Sequence, residues 1–173
     1  MYFVVLVGSK QSVKSDGKGA SMSALITSGV VLPIEETDGR ETVASARDLF
    51  KSVESDFVTR FDRPSAPTDR TGVLVWEADK DCPITSSLAK LERKPVDACL
   101  SQAQAIAFLR EYAKREPIGN LIFSLLQDGG QVFFCHFLRA DGRRFIARKT
   151  LLTDGTVMPA PRGGVHFRLV LPV

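Results

Sequence analysis

The stretch Asn120–Gly155, NLIFSLLQDGGQVFFCHFLRADGRRFIARKTLLTDG, decides the fold. Asp-Gly occurs in it at 128–129, 141–142 and 154–155, an even spacing of 13 residues. Asp-Gly readily supplies the two positive-φ residues of a type I′ hairpin turn. Between the turns lie β-rich runs, Asn120–Leu126, Gln131–Leu138 and Arg144–Leu152, crowded with Phe, Ile, Leu and Val. The spacing predicts an antiparallel meander, with Gly164–Val173 as a last strand after the break at Pro159–Pro161.

Upstream of the meander, Ser101 is followed three residues later by Gln104, a capping-box pattern, and Ile106, Leu109 and Ala113 form an apolar stripe. That is a helix, stopped by Pro117 and Gly119. A second helix is expected from Glu41 to Phe61, where Val43, Ala46, Phe50, Val53, Phe57 and Phe61 recur at spacings of three and four. Val73–Trp76 reads as a short buried strand, and Ser86–Leu91 as one helical turn. Tyr2–Val7 and Ala24–Ile34 read as strands, joined by a polar loop over Ser9–Gly19. These elements predict one α+β domain over residues 1–173. Its sheet is mainly antiparallel and ends in the C-terminal β-meander, with two main helices packed on one face.

A chain of 173 residues, 44% hydrophobic and 25% charged, holds enough apolar material for a core and is not a disordered chain. No apolar run approaches the roughly 18 residues of a membrane span. The first strand begins with no basic region before it, so neither a signal peptide nor a membrane is expected. Cys82, Cys99 and Cys135 make no paired motif, so reduced thiols and a cytoplasmic setting are expected.

Most catalytic constellations fail on spacing. Gly8 and Gly17-Lys18-Gly19 stand too far apart to cradle a phosphate, and no Ser or Thr follows the Lys directly. Glu35 and Glu36 precede a stretch whose charges alternate rather than line one face, which excludes a pyrophosphohydrolase box. Cys135 and His136 are adjacent on a strand and therefore point apart. Cys99, ahead of the Ser101 cap, is a candidate thiolate if the helix dipole lowers its pKa and His136 or His166 comes within reach. The two His, thirty residues apart, and the dispersed Cys have no zinc spacing. Glu77, Asp79 and Asp81 follow Val73–Trp76 at a spacing of two, which would aim three carboxylates to one side and make a divalent-metal hydrolase or nuclease the best enzyme reading. The ordinary alternative is a solvated acidic loop offset by Lys80.

Charge is distributed unevenly. The net +3 comes from the last third, where Arg139, Arg143, Arg144, Arg148, Lys149, Arg162 and Arg168 face only Asp128, Asp141 and Asp154. If Asp141-Gly142 is the turn itself, Arg139 lies opposite Arg144 and shares a face with Arg148, while His136, Leu138, Phe145 and Ala147 share the other. Like charges across a hairpin suit an anion between them. The expectation is a non-enzymatic binding module, with no cofactor implied. It would engage nucleic acid or an acidic protein surface through Arg139, Arg143, Arg144, Arg148 and Lys149. Two other readings stand beside it: snorkelling arginines that guard an edge, and a structural protein that self-associates along an open edge of the meander.

Overall fold

The computed structural model describes residues 25–26, 31–78, 80–115, 121–141, 144–160, 162–163 and 165–173. The expected strand at Tyr2–Val7 and loop at Ser9–Gly19 lie outside them. Ten strands are described: β1 Leu25–Ile26, β2 Val31–Ile34, β3 Phe50–Val53, β4 Thr71–Ala78, β5 Cys82–Pro83, β6 Leu121–Asp128, β7 Gln131–Asp141, β8 Arg144–Leu151, β9 Val157–Met158 and β10 Phe167–Pro172. The helices are α1 Ser55–Phe61, α2 Ile84–Lys90 and α3 Gln102–Arg115, with a 3-10 turn at Pro95–Ala98. The class is α+β, with a mixed, mostly antiparallel sheet.

The main sheet runs β1–β4–β10–β6–β7–β8–β3, with β2 sharing the outer edge of β4 with β1. β6, β7 and β8 form the meander. The last strand does not extend it. β10 inserts between β4 and β6, antiparallel to the first and parallel to the second. After Asp154-Gly155 the chain leaves the sheet, and β9 pairs with β5 in a small separate ladder.

Two cores sandwich this sheet. On one face α1 and α3 bury Phe57, Phe61, Ile106, Leu109 and Tyr112 against Val75, Ile122, Phe133, Phe137 and Phe145. These are the two helices on one face that the sequence pattern requires. The opposite face is covered over part of its area by α2, the 3-10 turn and β9, through Ile84, Leu88, Ala98 and Met158 on Trp76, Phe123, Phe134 and Leu169. The start of α3 is as expected: Ser101 N–H donates to Gln104 Oε1 at 2.9 Å, and Gln104 N–H donates to Ser101 Oγ at 3.1 Å.

The helix expected over 41–61 is the main correction. Only Ser55–Phe61 is helical. Thr42–Ser45 is a turn closed by side chains, with Thr42 N–H on Ser45 Oγ at 2.9 Å and Ser45 N–H on Thr42 Oγ1 at 3.1 Å. Phe50–Val53 is a strand parallel to β8, irregular between Phe50 and Ser52. That irregularity turns both Phe50 and Val53 to the core while Lys51 and Ser52 face water. A bulged strand thus reproduces the three-residue spacing of a helix.

Candidate functional site

The β6–β7 turn shows where the hairpin registers come from. Asp128 pairs with Gln131, so the two turn residues are Gly129 and Gly130, at φ 54° and 78°. In both hairpins the Asp ends the strand rather than occupying the turn. In the second, Asp141 pairs with Arg144, and Ala140 is left out of the ladder as a bulge, so Arg139 lies opposite Phe145. Compared with a tight Asp141-Gly142 turn, every pair below the bulge has slipped by one residue. Since side chains alternate, that slip reverses which face of β8 accompanies which face of β7.

Of the five expected partner-binding cations, the four described ones are divided between the two faces and among different partners. Arg139 is 7% exposed, points to the core under α3, and donates from Nη2 to the Ala113 carbonyl at 2.8 Å. Lys149 shares that face. Its side chain is 5% exposed, its Nζ lies 5.1 Å from the Phe133 ring centre, and it pairs with Asp56. This pairing holds the Asp56 carboxyl below its ordinary pKa. Arg144 is exposed and grips Asp141 with two 3.0 Å bonds, while Lys51 holds the same carboxylate at 3.2 Å. Arg143 lies outside the described residues. Arg148 differs from all of these: it is exposed, and no carboxylate of the described residues lies within 4.0 Å of its guanidinium.

Arg148 stands on the part of the sheet that α2 and β9 leave uncovered. Two cross-strand rows meet there. One is Leu121–Leu138–Ile146 and the other Phe123–His136–Arg148. Leu121, His136, Leu138, Ile146 and Arg148 line a shallow depression of about 170 Å³, and Leu138 is 44% exposed. A second depression of about 210 Å³ adjoins it toward β3, with Ser52 and Glu54 at its rim and Ile146 and Arg148 in common. His136 is packed edge-on to Phe123 and Phe134, with ring centres 5.1 and 4.9 Å away, and its Nε2 lies 3.4 Å from Thr150 Oγ1. Burial lowers its pKa from 6.5. Arg148 adds to the lowering, and Glu54 opposes it.

The acidic and thiol candidates are placed elsewhere. β4 ends at Ala78, and Asp79 lies outside the described residues. Glu77 is bound into an ionic chain: His166 Nδ1 at 2.6 Å on one oxygen, Arg168 Nε at 3.5 Å on the other, and Arg168 Nη1 donating to Tyr112 Oη at 2.6 Å. Asp81 is held by the Ala160 N–H at 2.8 Å and by Arg162 at 2.7 Å, which keep its pKa low. Glu77 and Asp81 thus serve different partners, and among the described residues no three His, Cys, Asp or Glu side chains converge as metal ligands. Cys99 donates to the Pro95 carbonyl at 3.3 Å, and burial, aided by Asp97, pushes its thiol up to about 12. Burial thus works against the thiolate that the helix end would favour, in keeping with a structural thiol.

Cys99 borders a larger cleft of about 330 Å³ at the start of α3. Its polar walls are already satisfied within the protein. Arg60 and Arg63 hold Asp128, and Gln102 accepts from the Val43 N–H at 2.7 Å and donates to the Arg63 carbonyl at 3.2 Å. No protein-family model matches the sequence, and neither a curated protein nor a solved structure matches the chain. Among the described residues, no helix is long and apolar enough to cross a membrane.

Proposed function

We propose that this chain is a non-enzymatic binding module that docks an acidic polypeptide segment on the uncovered face of β6, β7 and β8, with Arg148 as anchor. The observation that carries the reading is the exposed Arg148 guanidinium, without a carboxylate partner among the described residues, in the row next to Leu121, Leu138 and Ile146. Rows on one face of a sheet are about 6.7 Å apart, the distance between side chains two residues apart in an extended peptide. A segment lying along β8 would set a carboxylate on Arg148 and an aliphatic side chain on Leu138 and Ile146, so the pattern it fits is acidic-x-aliphatic. Nucleic acid is the weaker fit. Tight binding to it takes several phosphate contacts, and among the described residues this face offers one cation without a carboxylate partner, between apolar rows.

A displayed library of random peptides tests this directly. The wild-type protein is expected to enrich acidic-x-aliphatic sequences. Arg148→Glu should weaken the selected peptides at least tenfold, the ~1.4 kcal/mol expected for one lost charge-assisted contact. Enriched peptides without carboxylates, or binding that Arg148→Glu leaves intact, would refute the reading. So would tighter, steeply salt-dependent binding to oligonucleotides.

A further inference from the structure

His136 and Arg148 are directly opposite each other on β7 and β8 and line the same depression. Opposed side chains on a ladder have Cβ atoms about 5 Å apart. A carboxylate that reaches the guanidinium of Arg148 from solvent therefore comes down beside the imidazole. Resting on the docking surface proposed above, we infer that the partner's carboxylate is shared between Arg148 and His136, so that docking takes up a proton on His136.

The surroundings of His136 set the sign. Phe134 of its own strand and Phe123 of β6 pack against it, and Leu121 and Leu138 line the same depression, none of them charged. β8 contributes Arg148, which repels an imidazolium, and Thr150. The segment after β3 contributes Glu54, which attracts one but accepts the Lys149 N–H at 3.4 Å. In the free protein burial and Arg148 together outweigh Glu54, so the ring stays neutral below its ordinary titration range. An incoming carboxylate reverses the balance by screening Arg148 and giving Nε2 a proton acceptor in place of the long contact to Thr150. The bound ring then holds a proton that the free ring lacks. By linkage, affinity rises as pH falls through the bound-state pKa and levels off below the free-state one. Each pKa unit gained on binding permits a tenfold rise in affinity.

The test uses a fluorescein-labelled decapeptide of alternating glutamate and leucine, titrated by polarisation at pH 7.5 and 5.5, where glutamate is still mostly ionised. Wild type is expected to bind about tenfold tighter at the lower pH. His136→Gln should bind equally at both pH values, and Arg148→Gln should lose binding at both. A thermal melt of each variant confirms folding, and His136→Phe serves if the glutamine variant melts early. Binding that ignores pH, or pH dependence that survives in the His136 variants, overturns the proton-linked contact and leaves the docking surface standing. Absence of peptide binding at either pH overturns both.

Discussion

Replacing Arg139 and Arg148 separately by alanine distinguishes the observed register from the one a tight Asp141-Gly142 turn would give. In the structure Arg139 is buried and donates to the carbonyl of Ala113 in the last turn of α3, while Arg148 stands in water on the other face. A hydrogen bond from a charged donor contributes about 1.5–3 kcal/mol. A cation at a helix C-terminus adds about 0.3–1 kcal/mol. Arg139→Ala is thus expected to cost about 2–4 kcal/mol, and Arg139→Met, which keeps much of the apolar stem, somewhat less. Arg148→Ala lies in the range of ordinary surface changes, within about 0.5 kcal/mol. In urea, with a slope near 2 kcal/mol per molar, the first variant should lose about 1–2 M in midpoint and the second almost nothing. The tight-turn register would place both arginines on the same face and give them similar costs. Equal losses, or an Arg139→Ala change below about 0.5 kcal/mol, would refute the bulge at Ala140.

Other variants probe the rest of the fold. Glu92 ends α2 in the left-handed region at φ 54°, in a motif closed by Arg93 N–H on the Leu88 carbonyl and Glu92 N–H on the Ala89 carbonyl. Glu92→Gly should therefore raise stability by about 1 kcal/mol in a urea titration. Gly39→Ala should lower it by about 2 kcal/mol or more, since φ is +74° and a Cβ would sit 2.2 Å from the Ser65 carbonyl oxygen. The depressed pKa of His136 means that the unfolded chain binds its proton more readily. The stability linked to this ring is complete above about pH 6.5 and declines as pH falls toward the folded-state pKa, so His136→Gln should flatten the melting temperature between pH 7.5 and 5.5.

Much of the scaffold is legible in the sequence, and the reasons are local. The β6–β8 runs are specified by dense apolar stretches, the β6–β7 turn by Gly129 and Gly130, and the α3 start by Ser101 and Gln104. What misleads is information that lives in the third dimension. Phe50 and Val53 share the core because β3 is irregular where it pairs with β8, not because the segment is helical. The placement of β10 depends on a parallel pairing with β6, 46 residues away at Phe167 and Leu121, which no local pattern encodes. In the β7–β8 hairpin Ala140 carries no mark of a bulge in the sequence, and one slipped pair is enough to exchange the faces. The sequence marks Arg148 only as one of five cations; its separation from the carboxylates of the described residues and its place beside Leu138 and His136 follow only from the register.

The docking face itself is tested most directly by amide chemical shifts. Isotope-labelled protein would be titrated with the glutamate–leucine decapeptide at pH 5.5. The expected result is that shifts concentrate at Leu121, His136, Leu138, Ile146 and Arg148 and disappear in Arg148→Glu. Shifts confined to the cleft around Cys99 and Asp128, to the Glu77–His166 chain, or no shifts at millimolar peptide, would contradict the account.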